Sequence, residues 1–86
     1  MSYTPGFAPD AQSQWQALEP RFQEIVLDKL DELAISPPAG TEQVIDAAVE
    51  EGALRHYLFL HALIDHRHKT VIAVGVGYHA RANYQP

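Results

Sequence analysis

His79, Arg81 and Tyr84 stand close together near the end of the chain, and Arg55 and His61 precede them in a largely apolar stretch. Together they bring a proton-transfer group, permanent cations and a phenol. Cleavage of RNA by attack of a ribose 2′-hydroxyl needs a base that works near neutral pH. It also needs guanidinium charge on the crowded phosphate and a proton for the departing 5′-oxygen. His79 and Tyr84 are therefore the candidate catalytic residues. Arg55 and Arg81, with His61, are the candidates for holding a phosphate or another part of a target. A polar tail carrying His, Arg and Tyr is also common at chain ends with no chemistry attached to it.

The elements that must position these residues are legible as periodicities. Ala11, Trp15 and Leu18 recur at helical spacing after Pro9, which suits a first helical turn. Pro20 stops that helix and opens a second, in which Phe22, Ile25, Val26, Leu30 and Leu33 form one stripe. Pro37 and Pro38 end the helical hairpin. Residues 43–49 read as a strand, through the alternation of Ile45, Ala47 and Val49 with acids, or as an acidic helix. Residues 54–64 alternate clearly: Leu54, His56, Leu58, Leu60, Ala62 and Ile64 point one way, Arg55, Tyr57, Phe59, His61 and Leu63 the other. After a turn at 65–69, residues 70–78 form a second strand that places Ile72, Val74, Val76 and Tyr78 on one face.

Parity then fixes the pairing, because a slip of one residue sends every side chain to the opposite face. A five-residue turn at 65–69 sets Leu58 opposite Val76, Leu60 opposite Val74, Phe59 opposite Gly75 and Tyr57 opposite Gly77. Arg55 then faces His79 at one corner of a shallow surface, with Arg81 and Tyr84 curling beside it from beyond the strand end. A three-residue turn keeps the faces and moves the partners by two. The expected core joins Leu58, Leu60, Val74 and Val76 to Trp15, Phe22, Val26 and Leu30.

The 86 residues allow one small domain, 1–86, with 47% apolar and 20% charged residues as in ordinary globular proteins. The net charge of −5 argues against broad adhesion to nucleic acid, yet it is unevenly divided. Residues 1–51 carry ten acids against Arg21 and Lys29, while residues 52–86 carry Asp65 against Arg55, Arg67, Lys69 and Arg81, and hold all five histidines. No apolar stretch is long enough for a membrane helix and no Lys or Arg precedes Arg21 to begin a signal peptide, so a cytoplasmic protein without membrane attachment is expected. The absence of cysteine excludes disulfides and thiolate chemistry. His66-Arg67-His68 has metal-donor atoms, but a polar turn uses such residues to stay solvated, and no metal or other cofactor is expected. Gly75-Val76-Gly77 lies inside a strand, lacks a third glycine and a following helix, and is no dinucleotide fingerprint.

Two N-terminal helices followed by an antiparallel meander resemble the RelE/ParE superfamily of bacterial type II toxin–antitoxin toxins. Leu18-Glu19-Pro20 is similar to the break between that family's helices, and Leu30, Leu33 and Pro37 to the end of its second helix. Leu54-Arg55-His56-Tyr57 resembles its arginine-bearing central strand, and residues 74–79 with Tyr84 its closing strand and terminal tyrosine. The family's common Gly-His-Arg ending here reads Gly77-Tyr78-His79-Ala80, with Arg81 two places late, and Pro5 and Gly6 limit any first strand to a sheet edge. The resemblance implies an α+β fold, helices on one face of a curved antiparallel sheet and a working face on the other. It implies a plasmid-stabilisation type of toxin with a cognate antitoxin as partner. Its target would be RNA at the ribosome, cut without metal, or DNA gyrase, bound without nuclease chemistry. It leaves room for a homodimer. The alternative is a non-toxic, non-enzymatic protein-binding module on the same fold.

Overall fold

A computed structural model describes residues 2–82. Strand β1 (Thr4–Phe7) is followed by helices α1 (Pro9–Gln16) and α2 (Pro20–Ile35), then strands β2 (Glu42–Glu51), β3 (Leu54–Asp65) and β4 (Thr70–Ala82). Each helix begins on a proline, whose fixed φ suits the first turn and whose missing N–H is not needed there. α2 ends at Ile35, just ahead of Ser36-Pro37-Pro38. The 43–49 region is strand.

The sheet runs β1-β4-β3-β2. β2, β3 and β4 form the antiparallel meander, and β1 adds to its edge parallel to β4. β2 and β3 are joined by a tight turn in which Gly52 takes a φ of 60°, a left-handed conformation that glycine adopts without strain. The helical hairpin covers one face. Phe22, Val26, Leu30, Leu33 and Ala34 of α2 and Ala11 of α1 are buried there against Leu58, Leu60, Ala62, Ile64, Val71, Ala73 and Val76. His56 is buried on the same side, in a three-ring cluster with Phe22 and Tyr78, and shares a 2.8 Å hydrogen bond between its Nδ1 and the Tyr78 hydroxyl.

The β3–β4 register differs from the expectation through two irregularities, one at the turn and one within β4. Asp65 pairs with Thr70, so the turn has four residues, 66–69, and the strands begin one step out of the expected phase. Ala62 pairs with Ala73 but His61 with Gly75, so Val74 is the extra residue of a β-bulge that restores the phase. Before the bulge Val71 and Ala73, not Ile72 and Val74, face the helices; beyond it Val76 and Tyr78 do. The realised pairs are Leu60–Val76, Phe59–Gly77, Leu58–Tyr78, Tyr57–His79 and Arg55–Arg81 in place of those expected. The Gln14 side-chain oxygen, from α1, accepts a 2.7 Å hydrogen bond from the Val76 N–H just beyond the bulge. Trp15 lies at the rim of the core rather than in it, half-buried beside Phe7, with its indole N–H donated to the Gln23 carbonyl at 3.0 Å. No helix among the described residues is long and apolar enough to cross a membrane.

Candidate functional site

The sheet face turned away from the helices is built in cross-strand rows. Because β4 continues to Ala82, His79 and Arg81 are strand residues, not parts of a tail that curls back. One row reads Glu50, Arg55, Arg81, the next Ala48, Tyr57, His79, the third Asp46, Phe59, Gly77 and the fourth Val44, His61, Gly75. Alternation on each strand sends these side chains to one side. Arg55, His61 and His79 thus share a face, as strand alternation led one to expect, and Arg81 joins them as a residue of the extended β4 rather than of a tail. Tyr84 lies outside the described residues.

Local chemistry sets the geometry of each row. Tyr57 and His79 stack with ring centroids 4.9 Å apart and planes 18° apart. The Phe59 ring lies across Gly77, where even a methyl group would overlap it. Arg55 and Arg81 face each other, two like charges that would repel if alone, and Glu50 on the far side pairs with Arg55. The Arg55 Nε is buried and has no hydrogen-bond partner among the described residues. His61 lies apart from the arginine row, its Nε2 2.6 Å from a Glu42 carboxylate oxygen.

The carboxylates bordering this face were not singled out from the sequence as site residues. Glu42, Asp46 and Glu50 share the parity opposite to Ile45, Ala47 and Val49, and that alternation was the available signal. β2 makes the face bipolar, with acids along its edge strand and cations toward β4.

The histidines of the turn have structural partners. His66 Nε2 donates to the Gly40 carbonyl at 2.8 Å, which leaves Nδ1 to accept from the Tyr3 hydroxyl, also at 2.8 Å. The His68 backbone N–H donates to Asp65, joined by the His68 ring and by the Arg67 N–H, and these hydrogen bonds hold the Asp65 carboxyl below its ordinary range. Among the described residues no group of three His, Asp or Glu side chains converges to hold a metal ion.

This arrangement of a helical hairpin on a four-stranded sheet is similar in fold to solved structures that contain RelE toxins. The E. coli toxin RelE, in its free state as a double arginine-to-alanine mutant, superposes with a TM-score of 0.68 at 20% identity, over 90% of this chain and 83% of that one. The toxin–antitoxin complex RelBE2 from Mycobacterium tuberculosis gives a TM-score of 0.63 at 22% identity, covering 92% of this chain and 93% of the other. The archaeal RelE–RelB complex from Pyrococcus horikoshii OT3 gives 0.59 at 18% identity, covering 88% and 93%. At these identities the likeness is one of fold. No protein-family model matches the sequence, and neither does any curated protein.

Proposed function

We propose that the chain is the toxin-like component of a type II toxin–antitoxin pair, and that its open sheet face cuts RNA at the ribosome. The observation that carries the reading is the Arg55–Arg81 pair lying one row from the Tyr57–His79 stack, on the open face of a RelE fold. Arg55 and Arg81 would hold the scissile phosphate and balance the charge that builds on it. His79 would take the proton of the attacking 2′-hydroxyl as that oxygen bonds to phosphorus. The bond from phosphorus to the 5′-oxygen breaks, and Tyr84 would supply the proton that this oxygen takes up. The products are a 2′,3′-cyclic phosphate and a 5′-hydroxyl. His61, oriented by Glu42 farther along the face, would contact the target without moving a proton. No step needs a metal.

Two of the similar structures are complexes of a RelE with a RelB or of the RelBE type, which supports a cognate antitoxin as partner. A protein target such as DNA gyrase is the second reading. It is favoured by the acids along β2 and by the exposed Val44, Phe59 and Leu63, which together suit a protein surface better than a phosphate backbone. Expression of the chain alone tests the toxin role: growth arrest that a co-expressed neighbouring reading frame relieves is expected. Unaffected growth would favour the non-toxic binding module.

A further inference from the structure

A recess in the open face borders the residues of the phosphate chemistry, sharing His79 with them, and three of its other wall residues, Asp46, Ala48 and Phe59, have no part in that chemistry. Asp46, Ala48, Tyr57, Phe59 and His79 contribute to its walls, and its volume is about 380 Å³. That is near the lower end for small-molecule sites and suits one nucleoside rather than a longer chain. Residue sizes create it. Tyr57 lies against His79 and Phe59 lies across Gly77, so both rings lean toward β4. Opposite them on β2 stand only Ala48 and Asp46, which fill little of the space left behind.

We propose that this recess binds one base of single-stranded RNA and that Asp46 makes it selective for guanine. The proposal rests on the RNA reading above. Unstacked bases are held by aromatic faces whatever their identity, so the rings of Tyr57, Phe59 and His79 supply a general platform. Selectivity must come from the polar group beside them, and the recess has one carboxylate. An ionised carboxylate only accepts hydrogen bonds, through two oxygens side by side. Guanine presents two neighbouring donors on its Watson–Crick edge, N1–H and the N2 amino group, and matches that pair. Adenine and cytosine set a ring-nitrogen acceptor next to their amino donor, and uracil flanks its single donor with carbonyls, so each would turn a lone pair toward Asp46.

The other β2 carboxylates are engaged elsewhere. Glu42 meets His61, Glu50 pairs with Arg55, and Glu51 pairs with Arg21, whereas Asp46 has no ion-pair partner among the described residues. The Arg55–Arg81 row lies about 7 Å along the strand from Tyr57. A nucleotide with its base in the recess therefore carries its phosphate toward the two guanidiniums.

The test is an NMR titration of the isotope-labelled chain with guanosine, adenosine, cytidine and uridine 3′-monophosphates up to millimolar concentration. The same series is run on Asp46→Asn and Asp46→Ala. Guanosine 3′-monophosphate is expected to shift the amides around Asp46, Tyr57, Phe59 and His79, and to bind roughly tenfold or more tightly than the other three. Both variants should keep the wild-type melting temperature and lose most of that preference. Equal binding of all four nucleotides overturns the proposal. So does a preference that survives Asp46→Asn, shifts confined to another part of the surface, or no shift with any nucleotide. Growth arrest is scored separately. Arrest without nucleotide binding removes the guanine site and leaves the toxin reading standing; guanine-selective binding without arrest does the reverse.

Discussion

Tyr57 and His79 stack across the central strand pair, their ring centroids 4.9 Å apart and their planes 18° apart. The pair holds an imidazole on a rigid sheet and in one orientation, next to the row where Arg55 faces Arg81. A histidine in a tail would have to be ordered before each reaction. One on a paired strand is ordered when the protein folds.

That placement predicts the behaviour of His79→Ala. The side chain is exposed, so the melting temperature should scarcely change. If His79 transfers a proton, the rate of RNA cleavage in a single-turnover assay should fall by ~100-fold or more. Tyr57→Ala should cause a smaller loss, since the phenol ring orients the imidazole without replacing it. With a protein target instead, Arg55→Ala would weaken binding and His79→Ala would leave it unaltered.

Leu60 is 2% exposed and sits in the middle of the buried face, opposite Val76. Leu60→Ala should cost about 2 to 5 kcal/mol in a denaturant melt, through lost burial and the cavity left behind. A loss below about 0.5 kcal/mol would mean that the side chain is at the surface, where substitutions stay within that range.

Gly77→Ala should separate stability from function. The new methyl group would occupy the place of the outer part of the Phe59 ring, and that ring is 42% exposed and can swing aside. Stability should change by about 1 kcal/mol or less, within the ordinary effect of a single substitution. Cleavage or target binding should fall much further, because the displaced ring enters the recess beside Asp46. A melt paired with an activity assay on the same preparation checks both halves.

Asp65 provides a pH marker for the β3–β4 turn. Hydrogen bonds from the His68 backbone and ring and from the Arg67 N–H hold its carboxyl below the ordinary value of 3.8. The folded state thus favours the ionised form. Its contribution is present above the unfolded value and is lost as pH falls through the lower folded one. The carboxyl carbon of Asp65, followed by NMR into the acid range, should titrate below a free aspartate, and the Arg67 and His68 amides should move with it. Asp65→Asn should abolish that movement. Titration at or above the ordinary value would show that these hydrogen bonds do not form in solution.

Helix limits and strand alternation were legible in the sequence because prolines and apolar periods act locally. Pro20 and the Ser36-Pro37-Pro38 run bound α2, and the alternation of residues 54–64 sorts Arg55 and His61 from Leu58 and Leu60. The register was not legible. It depends on a four-residue turn and a bulge at Val74, and a valine there has the same apolar β-strand character as the nearby Val71, Ile72 and Val76. The faces of β4 beyond the bulge nevertheless agreed with expectation, since a shift of one at the turn and another at the bulge sum to an even number. That is why Arg55 and His79 were placed on one surface while their partners were misassigned by two. The length of β4 was missed because Ala80 and Ala82 break the β-branched pattern, so His79 and Arg81 looked like a tail.

The bulge also decides where this gene could shed a codon. Val74 is the residue for which β3 has no opposite number, so removing it alone would leave Val71, Ala73, Val76 and Tyr78 inward and Gly77, His79 and Arg81 outward. The same loss at position 77 would turn His79 and Arg81 toward the helices and bring Tyr78 out. Length variation in the last strand is therefore tolerable at the bulge, where Val74 and Gly75 together occupy the place of one residue, and members of any lineage sharing this working surface should differ by one residue there or not at all.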